Sequence, residues 1–310
     1  MTLTLKAMGS FYVGGRMHTV AGKPTSRLKV APSIPEFTYD PNGEFAVEHA
    51  YVQYFIPENV RGLPFLLIHG GALTGATWET TPDRREGWVN LLLKRGRAVY
   101  VADMMERGRA GWTNIDGVFP GPILERSAQE AWWLFRFGME EGFARREAFA
   151  GQKFPIHAFD TFMKQCVPRW ILNVDMAQAA FLEMARRIGP CVVMTHSSGS
   201  IYGYRLAFEA PDLVKKVIGI EPSSLPTDYP DSCKGQRFVD VMGDYLDTRP
   251  FWETMDGGVQ ANSAAVAEKG ADARYVRLAD KGLPHHSHMI MMDRDNDRAL
   301  DVILTEAGEV

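Results

Sequence analysis

Cysteine is scarce, with three residues in 310: Cys166, Cys191 and Cys233, and no C-x-x-C spacing. An odd, scattered set excludes a disulfide framework and a cysteine zinc site, and reads as buried thiols. An excess of one charge is also missing. The 34 Lys and Arg stand against 38 Asp and Glu, for a net charge of -4, so nucleic acid is not an expected partner. No apolar run reaches the roughly 18 residues of a membrane-spanning helix, so no membrane partner is expected. Met1 to Val20 carry Lys6 and Arg16 but no secretory h-region, which makes the cytoplasm the expected location. Repeats, heptads and low-complexity segments are absent, which removes a fibrous or scaffold role. What is present is an ordinary globular balance, 45% hydrophobic and 23% charged residues. That suits one large α/β domain with an inserted subdomain.

Along the chain, Ala7 to Val20 predict a hairpin turning at Gly14-Gly15, and residues 21–44, rich in proline and polar residues, predict a loop. Phe45 to Phe55 alternate as a strand does and stop at Pro57. Leu63 to Ile68 and Ala98 to Asp103 are almost wholly apolar, as strands covered on both faces are. A helix from Gly87 to Lys94 lies between them. Strands alternating with helical patterns imply crossovers and a parallel sheet. From 113 to 172 the rhythm breaks into an aromatic stretch. It has a predicted helix over Ser127 to Met139, with Trp132, Trp133 and Phe137 on one face. Residues 113–172 are expected to form a cap or lid, and 1–112 with 173–310 the core. In that reading Trp132 and Trp133 are candidate substrate-binding walls, against the alternative of a packed satellite core. Later come helix Asp175 to Ile188, strands at Val214 to Ile220, Arg237 to Met242 and Ala273 to Leu278, helix Phe251 to Lys269, and a closing helix, Asn296 to Thr305.

The chemistry concentrates at Thr195-His196-Ser197-Ser198-Gly199. The apolar run Pro190 to Met194 stops there and a helical pattern follows at once. Strand, sharp turn around a serine, helix is the layout of a nucleophile elbow, G-x-S-x-G, with Thr195 in place of the first glycine. Residues two before and two after the nucleophile must be small. That favours Ser197, flanked by Thr195 and Gly199, over Ser198, flanked by His196 and Ser200. An oxyanion hole needs two backbone N–H donors. Ser198 supplies one as the residue after the nucleophile, and Gly71 of His69-Gly70-Gly71 supplies the other, with His69 holding the loop. The base must come late in the chain, which offers His285, His286 and His288. Spacing alone does not separate these three, and no paired carboxylate cluster supports a metal site. The acid is either Asp244 or Asp247 behind Met242-Gly243, or Glu221 at the strand end Ile218-Gly219-Ile220-Glu221-Pro222.

Several of these segments together resemble a bacterial serine esterase branch of the α/β-hydrolase superfamily. They are Ile68-His69-Gly70-Gly71 through Thr81-Pro82-Asp83, Gly108-Arg109, Thr195-His196-Ser197, Ile220-Glu221-Pro222 and Ser287-His288-Met289 through Asn296. The likeness spans roughly residues 45–305. It implies a mainly parallel sheet with helices on both faces, and a Ser-Glu-His triad with the acid after the sixth strand. Carried across, it selects Ser197, Glu221 and His288, with Gly71 and Ser198 as oxyanion donors. Members of this branch carry cysteines at the positions of Gly71-Ala72 in some cases, so no cysteine-dependent feature is inherited. The expected activity is cleavage of a carboxylic ester or lactone through an acyl-enzyme, with no cofactor. The alternatives are the same triad on an amide or on a C–C bond beside a ketone, or a non-catalytic homologue that only binds a small molecule. Many hydrolases of this fold form homodimers, and the residues leave that state open.

Overall fold

The buried apolar runs build the middle of an eight-stranded sheet in a computed structural model that describes residues 3–309. In chain order its strands are β1 (Leu5–Val20), β2 (Gly43–Pro57), β3 (Phe65–Ile68), β4 (Val99–Asp103), β5 (Cys191–His196), β6 (Val214–Ile220), β7 (Arg237–Met242) and β8 (Asp272–Arg277). Across the sheet the order is β1-β2-β4-β3-β5-β6-β7-β8. β1 and β2 pair antiparallel, as do β2 and β4, and every later pair is parallel.

Side chains alternate between the two faces. Phe65, Leu67, Val192 and Met194 enter one core, and Leu66, Ile68, Cys191 and Val193 enter the other. All four residues of β3 are fully buried, each contributing about 1.5–3 kcal/mol of burial free energy. The helices are α1 (Trp88–Lys94), α2 (Ala128–Leu134), α3 (Phe159–Met163), α4 (Val174–Ile188), α5 (Ser200–Glu209), α6 (Pro250–Glu268) and α7 (Asn296–Ala307). α1 and α7 cover the first core, while α4, α5 and the end of α6 cover the second. Helices on both faces of a mostly parallel sheet leave the carboxyl ends of the strands as the open edge where ligands bind.

The N-terminal hairpin does not form. β1 runs unbroken for 16 residues against β2, with Gly14 opposite His49 and Arg16 opposite Val47. Gly14 and Gly15 do take positive φ, 67° and 88°, but they bend the strand without reversing it. A Cβ on Gly14 would lie 2.9 Å from Ala180 Cβ on α4, and the Gly14 N–H donates to Glu183 on the same helix at 2.8 Å. The glycines therefore serve close helix approach, a need that local pattern does not reveal. Within the expected loop 21–44, Ser26–Leu28 and Phe37–Tyr39 form a small antiparallel ribbon.

Residues 113–172 hydrogen-bond to the loops leaving the carboxyl edge. Val167 N–H donates to Ala72 after β3, Trp170 N–H to Glu106 after β4, and Lys153 N–H to His285 after β8. The Tyr245 hydroxyl, after β7, donates in return to Ala150. α2 starts as expected, with the Ser127 hydroxyl accepting from Glu130 N–H at 3.1 Å. It ends five residues short of Met139, because Arg136 turns to a left-handed φ of 56°.

Candidate active site

β5 and β6 end in register, with His196 beside Ile220. The next residue on each strand, Ser197 and Glu221, takes a positive φ, 51° and 53°. A non-glycine residue held there costs on the order of 1–3 kcal/mol, which packing around it must offset. Both side chains are thereby lifted off their strands at the same edge.

Thr195 fits where a glycine was expected because the relief comes from the helix. A Cβ on Gly203, in α5, would stand 2.6 Å from Thr195 Cγ2. The Thr195 hydroxyl is satisfied by Ser200 Oγ at 3.0 Å. Gly199 cannot be replaced so easily, since a Cβ there would stand 2.5 Å from the His69 carbonyl.

Glu221 is fully buried, and its two oxygens divide their partners. Oε2 lies 2.9 Å from His288 Nδ1. Oε1 accepts from Arg136 Nη2 at 2.5 Å and from Gly243 N–H at 2.5 Å. Burial alone would raise the Glu221 carboxyl, but Arg136 and His288 outweigh it and hold it far below the usual range. Burial likewise pushes the His288 imidazole down, and the Arg136 charge adds to that. Glu221 opposes the shift without cancelling it. The ring is therefore neutral at neutral pH, and its Nδ1 proton faces the carboxylate.

His288 is held by more than Glu221. Its N–H donates to Phe135 O at 3.0 Å, and its carbonyl lies 3.0 Å from His196 Nε2. The ring lies between Phe135, stacked at 5.6 Å between centroids, and Trp252 at 4.9 Å. The Ser197 hydroxyl pairs with Ser223 Oγ at 3.2 Å. No hydrogen bond joins it to His288 among the described residues.

Gly71 and Ser198 meet, since a Cβ on Gly71 would lie 2.9 Å from Ser198 Oγ. Among the described residues the Gly71 N–H finds no acceptor within the protein. Ser198 sits in the first turn of a short 3-10 helix, Ser197–Gly199, where backbone donors lack intrahelical acceptors. His69 is buried behind this loop, between Gly70 O at 2.8 Å and Met104 N–H at 3.2 Å. Burial, then the Arg107 charge, lowers its pKa to about 4, so it holds the loop as a neutral ring.

Other candidates fall away from this cluster. Asp247 is exposed, and Asp244 accepts from the His285 N–H. His286 turns to Asp293 at 3.0 Å. Trp132 and Trp133 require a correction. Trp132 is fully enclosed by Phe137, Phe143 and Phe159, with its indole N–H on Met139 O. Trp133 packs edge-on against Phe251 under the Arg249 guanidinium. Trp132, with Phe135, Phe137, Phe154, Phe159 and Phe162, thus joins the main core and offers no free face, while Trp133 stays half-buried outside it.

Two residues escaped sequence reasoning, and both are arginines of the stretch 113–172. Arg136 is fully buried on Glu221. A lone cation inside the run Trp132 to Phe137 demands a buried anion, and Glu221 was a buried carboxylate lacking a partner. Arg169 lies against Gly71 with Nη1 3.3 Å from Ser198 Oγ.

No family model matches the chain. Among curated proteins it is similar to the probable secreted lipase phiG of Fungal sp. (strain ATCC 74256). The two are 24% identical over 339 aligned positions, covering 90% of this chain and 91% of that one. Among solved structures, a novel bacterial esterase determined at atomic resolution superposes with a TM-score of 0.85. It is 31% identical, with 99% of this chain and 97% of that chain covered.

Proposed function

Because the chain belongs to the α/β-hydrolase superfamily, we propose that Ser197, His288 and Glu221 are its nucleophile, base and orienting acid. It is a carboxylic ester hydrolase, the activity named for its bacterial structural relative and matched by the lipase relative. The observation that carries the residue roles is the buried 2.9 Å contact of His288 Nδ1 with Glu221 Oε2, one strand from the serine.

Rotation about the Ser197 side chain exchanges Ser223 for His288 Nε2, a contact that often tightens only with substrate bound. His288 takes the hydroxyl proton as Ser197 Oγ attacks the ester carbonyl. The oxyanion is held by the N–H groups of Gly71 and Ser198. As the tetrahedral intermediate collapses, the C–O bond breaks and the alcohol leaves with the proton from His288. Water then gives its proton to His288, attacks the acyl carbon, and frees the acid and Ser197. Residues 113–172 act as a cap that closes the site. Lactones fit the same steps, and a panel of esters, lactones, amides and β-diketones reads out which bond is preferred. The proposed location is the cytoplasm and the proposed assembly a homodimer. The fungal relative is described as secreted, so fractionation of native cells decides the location, and light scattering the assembly.

Ser197→Ala should abolish ester turnover and labelling by a serine-directed phosphonate, and labelling that persists overturns the nucleophile. Glu221→Gln should cripple turnover where Asp247→Asn leaves it near normal. The reverse pattern moves the acid to the aspartate.

A further inference from the structure

Beside Ser198 opens a cavity of about 400 Å³, lined by Arg107, Arg169, Asn173, Tyr202, Ser198 and Ser223 among others. Its two guanidinium groups differ in how their charge is met. Arg107 is buried on Glu106, with Nε 3.0 Å from Oε1. Glu106 also accepts from Asn173 Nδ2 at 3.2 Å and Trp170 N–H at 3.1 Å, which occupies both its oxygens. Arg169 has no carboxylate within 4 Å among the described residues, and its buried Nε has no partner. Among the described residues its side chain makes one hydrogen bond, to Ser198 Oγ at 3.3 Å. Burial, then the charges of Arg107 and Arg126, push its pKa below the ordinary arginine value. A cation crowded by cations at the edge of a cavity, with open donors, is costly unless an anion arrives.

From this placement we propose that Arg169 binds a carboxylate carried by the substrate, so that the preferred esters or lactones are anionic, such as hemiesters of dicarboxylic acids. The inference rests on the hydrolase reading above, because it makes the cavity part of the substrate site. A planar fork of donors next to the oxyanion loop suits a carboxylate a few bonds from the scissile carbonyl. Selectivity then arises from an unpaired cation that a neutral ester leaves unsatisfied.

Two substrate pairs test it. 4-Nitrophenyl hemiglutarate is compared with 4-nitrophenyl 5-methylhexanoate, in which an isopropyl group replaces the carboxylate. 4-Acetoxybenzoate is compared with 4-isopropylphenyl acetate, which moves the charge to the alcohol side. For each pair the ratio of kcat/KM, charged over neutral, is measured in the wild type and in Arg169→Met and Arg169→Lys. Intrinsic reactivity cancels when ratios are compared between variants. In one pair Arg169→Met should cut the ratio on the order of 10- to 100-fold, chiefly through KM, and Arg169→Lys should restore part of it. A ratio unchanged in both pairs overturns the proposal. So does a loss of kcat equal for charged and neutral esters, which would assign Arg169 to the oxyanion instead. Calorimetric binding of glutarate to Ser197→Ala, lost in Ser197→Ala/Arg169→Met, reads the anion site without turnover. Glutarate binding without any turnover or phosphonate labelling would sink the triad and keep the anion site. Turnover and labelling with no charge preference and no glutarate binding would do the opposite.

Discussion

His286 and His288 stand two residues apart in one loop, both buried, each with Nδ1 about one hydrogen-bond length from a carboxylate. Their protonation is nevertheless driven in opposite directions. Burial opposes the charged form in both. For His286, the bond to Asp293 and the charges of Asp293 and Asp295 outweigh it and raise the pKa. For His288, Glu221 alone does not, and the pKa falls. The difference lies in what else each carboxylate sees. Arg136 already compensates Glu221. Among the described residues the Asp293 carboxylate accepts, beside His286, from the neutral Ser287 N–H and hydroxyl, both at 2.8 Å, while Arg85 donates to the Asp293 backbone carbonyl. A carboxylate shared with a guanidinium orients an imidazole while leaving it free to accept a proton. One without such a partner raises the pKa of its histidine instead.

The comparison breaks most visibly at the rings themselves. His288→Ala should lower kcat by roughly four to six orders of magnitude, on the scale of losing a triad base. His286→Asn should lower Tm far more than His288→Ala does. Equal losses of activity would mean that both rings take part in the chemistry.

A smaller effect is expected at the guanidinium. Arg136→Met strands Glu221 in the interior and should cost about 3–5 kcal/mol of stability in denaturant unfolding. It also removes a positive charge that lowers the His288 pKa, so that pKa rises. His288, the proposed base, then stays protonated to higher pH, and the acid limb of the kcat/KM profile moves to higher pH. In the wild type that limb should lie below the ordinary histidine value of about 6.5. An unmoved limb in the variant would detach Arg136 from the base.

The smallest effect is the pH dependence of stability. His286 has a folded pKa above its unfolded value, so its stabilisation is complete below about pH 6.5 and is lost as pH rises through the folded pKa. The Tm gap between wild type and His286→Asn should therefore be widest near pH 6 and narrow on the alkaline side. A gap that widens with pH would reverse the assignment.

The sheet was legible because its middle strands are unbroken apolar runs such as Phe65 to Ile68. The serine turn was legible because small residues crowd one junction. The pairing of Glu221 with His288 followed from a strand end and motif likeness. Gly14-Gly15 misled because a glycine pair between alternating runs has the local signature of a hairpin, while its cause, Ala180 on α4, lies 166 positions away. Trp132 misled because helical spacing shows that a face is apolar but not whether it meets ligand or core. Arg136 follows the end of α2 in a left-handed turn, and Arg169 sits in a two-residue strand paired with Ile123–Leu124, so tertiary packing alone decides what either side chain meets.

The His196 contact has a consequence for how replaceable the His288 ring is. His288 is tied down at both backbone groups, its carbonyl by His196 and its N–H by Phe135. Neither tie passes through its own ring. Truncating that side chain leaves the loop anchored and empties a niche walled by Phe135, Trp252 and His196, open toward Glu221. The protein thus treats the imidazole as an interchangeable part on a fixed mount, one that a free imidazole from solution matches in shape and in its hydrogen bond to the waiting carboxylate.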